Sequence, residues 1–481
     1  MGKTILWVII IAVVVMFLWC MCGGDGGEKP AAEKAVVTYA KAVRREPNLD
    51  VDKAIAKYTK AIQLNPNNAK AYVSRGLTYS FNGEYDKAIA DYTEAIRLKP
   101  NFADAYVKRG IAYKDKGDYD RAISDYTEAI RLKPSFADAY NFRGIAYSDK
   151  GDKDRAIADY TEAIRLKPKF AAAYNNRGIE YSDKGDNDRA IAHYNEAIRL
   201  EPNGAVIYYT NRGIAYAKKG EYDRAIADYN QAILLNPNYA SAYNFRGEAY
   251  SGKGDYNQAI ADYNEVIRLS PKSADAYITR GNAYSGKGDY DRAIADYNQA
   301  ILLSPKLANA YNVRGNAYSD KGDYDQAIAD YTEAIRLNPN GAVIYSNRGI
   351  AYSGKGDHDM AIADHDKAIQ LNPNLPDAYN FRGLAYKGKG DYNRAIADYS
   401  DAMRLNPKYA AAYINRGDLY KNKGDYDRAI ADYEAALRIN PNLKKASDSL
   451  SHAKLLMSPE YQLGKRVGEW VGEWIKGRKR K

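Results

Sequence analysis

The chain has 481 residues, a net charge of +10, 46% hydrophobic residues and two cysteines, Cys20 and Cys22. Both cysteines lie at the N-terminal apolar segment, so the rest of the chain has no disulfide framework. The first 34 residues are charge-balanced and residues 444–481 carry +6, leaving only +4 for everything between, which is no basic stripe for nucleic acid.

In chain order, Ile5–Met21 is a run of 17 uncharged residues, at the short end of what spans a bilayer. Trp19, Cys20 and Met21 occupy the place of a small-x-small cleavage site, so residues 1–22 are expected to be an uncleaved signal anchor, a single transmembrane helix. The same bulky residues disfavour lipoprotein processing, and Leu6 disfavours myristoylation at Gly2. Lys3 and the terminal amine favour export of the downstream chain, whereas Lys29, Lys34, Lys41, Arg44 and Arg45 pull the other way. The expectation is extracytoplasmic repeats, with the cytoplasmic side as the alternative. Residues 23–34 read as a linker, and 35–68 as a degenerate first repeat whose second half, "DVDKAIAKYTKAIQLNPNN", matches the second half of the later copies.

From Ala69 to Leu443 one pattern recurs every 34 residues, with full copies beginning at Ala69, Ala103, Ala137, Ala171, Val206, Ala240, Ala274, Ala308, Ala342, Pro376 and Ala410. In Ala103–Phe136, Tyr106, Gly110 and Tyr113 fall on one stripe of a first helix, and Gly117 ends it. Asp118 or Asp120 starts a second helix carrying Ala122, Ile123, Tyr126, Ala129 and Ile130, which Pro134 closes. Two such short helices cannot bury their apolar faces alone, so each copy needs the next stacked on it. One extra residue near Ala205 breaks the period. Residues 444–457 read as a capping helix, and 458–481 as a basic amphipathic tail in which Val467, Trp470, Val471, Trp474 and Ile475 share a stripe. Trp470, Trp474, Arg478, Lys479 and Arg480 are its candidates for contact with an anionic membrane surface.

Tyr106, Gly110, Ala122, Tyr126, Ala129 and Pro134, at this period, resemble the tetratricopeptide repeat. The resemblance implies an all-α, right-handed superhelical solenoid of antiparallel helix pairs. It also implies a non-catalytic scaffold whose first helices line a concave groove for a peptide or helix of a partner protein, with no cofactor. The near-identical copies and the lack of any Asn-x-Ser/Thr site suggest a bacterial chain. Arginine stands where the family most often has leucine before the glycine, and an aspartate recurring in the second helix, Asp125 for example, is its expected partner within or between repeats. His193 replaces that aspartate once, and His358 and His365 replace tyrosines. The latter two are seven residues apart on one helix, about 10.5 Å, too far to share a metal ion.

Recognition is expected where the copies differ. The residue before the arginine varies, which makes Lys108, Phe142, Asn176, Asn211, Phe245, Asn347, Phe381 and Asn415 the candidate partner-binding residues. Phenylalanines there would form apolar pockets or pack on the neighbouring repeat, and asparagines would clamp a peptide backbone. One place earlier, where family members that bind chaperone C-termini carry lysine, stand Val73, Val107, Asn141 and Asn175, with no lysine in the later copies either. A carboxylate clamp is therefore not expected. The alternative reading is a structural envelope spacer joining the anchoring membrane to a second surface through the tail.

Overall fold

The computed structural model describes residues 51–459 together with 461, 463 and 467. The expected anchor, the linker, residues 35–50 of the degenerate repeat, and Trp470, Trp474, Arg478, Lys479 and Arg480 lie outside the described residues. Among the described residues no helix is long and apolar enough to cross a membrane, and every regular element is helical.

Each repeat is a helix pair, and the first helices begin at the residues where the pattern restarts, as in Ala103–Asp115 followed by Tyr119–Leu132. The stop between them is glycine. Gly117 has φ +81°, in the left-handed region, and Asp118 caps the next helix by accepting from the Arg121 N–H. Nothing lies within 4 Å of where a Cβ on Gly117 would sit, so Gly117→Ala should cost only the conformational strain, about 1 kcal/mol by urea unfolding. Gly110 has another job, because a Cβ there would meet Tyr126 Cε1 at 2.7 Å. Gly110→Ala should therefore destabilise the chain more than Gly117→Ala does.

Packing explains the need for repetition. Tyr126, Ala122 and Ala129 are fully buried, and they share one cluster with Val107 of their own repeat and with Ala139, Phe142 and Ala146 of the next. A second helix is thus covered on one side by its own first helix and on the other by the following one. The chain forms two compact blocks, one ending at Ala249 and the other beginning at Tyr250. In the first, the period breaks at a 3-10 turn, Pro202–Gly204, where the Tyr208 hydroxyl donates to Glu201 at 2.9 Å. In the second, helix Lys444–Met457 closes the stack by burying Ala446 and Ala453 against the cluster of Tyr433.

The recurring arginine is a two-sided tie. Arg109 donates through Nε and Nη2 to the two carboxylate oxygens of Asp125 in its own repeat, at 2.8 and 2.7 Å. Its remaining nitrogen, Nη1, donates to Thr93 Oγ1 of the preceding repeat at 3.1 Å. Arg280 does the same with Asp296 and, behind it, Asn264, and Arg416 with Asp432 and Ser400. The position that receives Nη1 is Thr, Asn, Ser or Asp throughout, always a short acceptor. The last copy carries Glu434 there, and it pairs with Lys454 of the closing helix at 3.0 Å. The bond to Asp125 raises the Arg109 pKa, so the guanidinium stays charged although its side chain is only 17% exposed. A planar five-donor fork suits this task, and lysine could not replace it.

Candidate functional site

First helices of successive repeats touch one another, so their outward positions form one layer within each block. In the N-terminal block Asn176 donates to Asn141 at 3.1 Å, Asn211 to Asn175 at 2.9 Å, and Lys218 Nζ to Ser182 at 2.9 Å, each bond joining neighbouring first helices. In the C-terminal block Asn347 donates to Asn312 and Asn316, and Asn415 to Asn380. The asparagines expected to clamp a peptide are therefore coupled to one another as a ladder. Asn211 and Asn415 each have a second amide hydrogen beyond these bonds, whereas Asn347 spends both of its hydrogens on Asn312 and Asn316.

The aromatic candidates are corrected more strongly. Phe142 is 5% exposed and stacks on Tyr126 of the preceding repeat, ring centroids 6.0 Å apart. Phe245 stacks on Tyr229 in the same way, and Phe381 on His365. These rings fill the seam between repeats, so Phe142 offers no pocket to a partner and the other two show at most an edge. Lys108 is half-buried on the same layer.

The residue after the glycine is one that reasoning from the sequence passed over. It is Leu77, Ile111, Ile145, Ile179 and Ile214 in the five full repeats before Ala240, all half-exposed, then Glu248, Asn282 and Asn316. On the helix it lies three residues beyond the Lys108 position, on the same face. Three of the polar residues at this register hold the buried tyrosine hydroxyl of their own repeat: Tyr297 donates to Asn282, Tyr331 to Asn316 and Tyr433 to Asp418, all at 2.8 Å. Where the residue is Ile111 or Leu384, the buried hydroxyl of Tyr126 or Tyr399 has no partner. Ile111 and Leu384 are thus present at a cost, since an unpaired buried hydroxyl forfeits about 1–3 kcal/mol. The legible signal was five successive aliphatics at one register, then Glu248, Asn282 and Asn316, before Ile350, Leu384 and Asp418.

Histidines mark local substitutions in the stack. His365 is fully buried in a tyrosine's place, its Nδ1 3.4 Å from Ser346 Oγ and its Nε2 without a partner. Burial, and then the charge of Arg382, push its pKa down to about 4. The unfolded chain takes up this proton near pH 6.5 and the folded chain near 4, so stability present above 6.5 is lost as pH falls through that window. His365→Tyr should flatten the decline in thermal midpoint between pH 6.5 and 4. Among the described residues no group of histidines, cysteines and acids is arranged to hold a metal ion.

Tetratricopeptide-repeat models match residues 57–90, 82–117, 107–169, 171–203, 206–239, 342–375 and 410–443, and also 247–288, 281–322, 315–356 and 383–424. The chain belongs to the tetratricopeptide-repeat family. Such chains are in general non-catalytic scaffolds that bind other proteins. Yeast Tom70 is 18% identical, matching 85% of this chain and 99% of its own, at a TM-score of 0.44. A tetratricopeptide repeat protein from Parabacteroides merdae is 22% identical over 52% of this chain and 99% of its own, TM-score 0.45. MamA is 31% identical over 34% of this chain and 96% of its own, TM-score 0.31. No curated protein matches the sequence.

Proposed function

We propose that the chain is a membrane-tethered, non-catalytic scaffold that binds a peptide or helical segment of partner proteins on its first-helix layer. The observation that carries this is the stripe Leu77, Ile111, Ile145, Ile179 and Ile214, partly exposed at one register of successive first helices. Leu77, Ile111, Ile145 and Ile179 pack one side against the core of the stack, and the surface they leave exposed gives the apolar side chains of a partner a contact. The asparagine ladder runs beside the stripe and supplies polar contacts to a backbone. Many shallow contacts, one set per repeat, add up to avidity, and a tether raises the local concentration of scaffold at the membrane.

The test separates binding from packing. Ile111→Asn, with Ile145→Asn, gives the unpaired Tyr126 hydroxyl a partner and should leave the thermal midpoint close to that of the wild-type chain, while partner proteins that co-purify with the wild-type chain are lost. Retained partners with an unchanged midpoint would defeat the reading. The tether rests on the uncharged run Ile5–Met21. Deleting residues 1–22 should move the protein from the floating to the soluble fraction in vesicle flotation, and a protein that still floats would assign the membrane contact to the tail.

A further inference from the structure

The repeat at residues 171–205 keeps the Arg177 Nη1 bond to Thr161, at 2.9 Å, but departs from its neighbours at the carboxylate fork and at the tyrosines that begin the second helices. Arg177 lacks the carboxylate fork: its Nη2 is 3.4 Å from His193 Nδ1, and its Nε is buried without a partner. Burial, reinforced by the charges of Arg177 and Arg189, keeps His193 neutral by lowering its pKa to about 4, so no anion replaces the missing one. Glu180 stands where most repeats have alanine; it is 2% exposed and its Oε2 has no partner. Asp149, Asp183, Lys153 and Ser148 are the groups that act on it, two of them of like charge.

Both flanking seams are altered as well. The tyrosine that begins most second helices packs its ring against the next first helix, as Tyr256 does at Gly286. Lys153 and Asn187 replace that tyrosine on either side of this repeat, and Lys153 reaches the Asp183 carboxylate only at 3.7 Å. The extra residue of the chain comes directly after, in the turn Pro202–Gly204.

We infer that residues 171–205 form a joint, the interior repeat at which the stack opens first. Separate features agree on it: a guanidinium without its carboxylate, a buried acid with an unpaired oxygen, two missing rings and a broken period. The joint lies within the aliphatic stripe, so its opening uncouples Leu77, Ile111 and Ile145 from Ile214 without unfolding either side. The inference does not depend on what the stripe binds.

Hydrogen exchange read by mass spectrometry on the full chain tests it. Amides of 171–200 should exchange about ten-fold faster than those of 103–132, since one uncompensated buried charge exceeds that in free energy. His193→Asp with Glu180→Ala should bring the two segments to the same rate. Conversely, Asp125→His should create a second fast segment at 103–132. Equal rates in the wild-type chain, or a fast segment that the double variant leaves fast, would overturn the joint.

Discussion

Arg280→Leu is expected to lower the stability of the C-terminal block by about 3 kcal/mol, because it leaves a buried carboxylate without its cation. Asp296 is 6% exposed, and both of its oxygens take bonds from Arg280, at 2.8 and 2.6 Å. Asn264 of the preceding repeat loses its donor as well. The pair itself contributes far less than this loss, since desolvation offsets most of the attraction. Arg280→Leu with Asp296→Leu should therefore regain most of the lost stability in urea unfolding followed by circular dichroism. An unchanged midpoint for the single variant would show that the arginine has no part in packing. The double variant should still leave the two repeats less firmly held in register, because the Nη1 bond that crosses between them is gone.

Tyr126→Ala should cost about 3–5 kcal/mol, the usual loss for a large buried ring, because Tyr126 has no exposed surface and touches residues of two repeats. Tyr126→Phe should be neutral or stabilising, since the hydroxyl it removes is buried without a partner. Tyr331→Phe should instead lose about 1 kcal/mol, because that hydroxyl donates to Asn316 at 2.8 Å. The contrast between the two phenylalanine variants isolates the role of the residue after the glycine. If both variants behaved alike, the unpaired hydroxyls would have no bearing on why isoleucine is there.

The sequence made the architecture legible because period, helix stop and core stripe coincide. Gly117 and Pro134 each have one local reason, and local reasons survive folding, while Tyr106 and Gly110 recur because every repeat packs in the same way. The arginine and its aspartate were readable as a pair from their shared recurrence. The third bond, to Thr93 or Asn264, was not, because it joins neighbouring repeats through a residue type that varies. The recognition surface was the least legible part. Variation before the arginine drew attention to Phe142 and Asn176, but a varying residue can also be spent on the stack itself, as Phe142 is on Tyr126 and Asn176 on Asn141. Ile111 and Ile145 passed unnoticed because an aliphatic residue in a helix pair reads as core until the structure shows it partly exposed.

The separation between positions that build the stack and positions that meet a partner is most directly tested by photocrosslinking in intact cells. A photoreactive residue at Ile145 or Ile179 should join the chain to the same partner proteins. The same residue at Glu128 or Glu162, on second helices and paired only with Arg131 and Arg165 nearby, should join it to none of them. Crosslinks of equal yield from both sets, or from the second set alone, would contradict a binding surface on the first-helix layer.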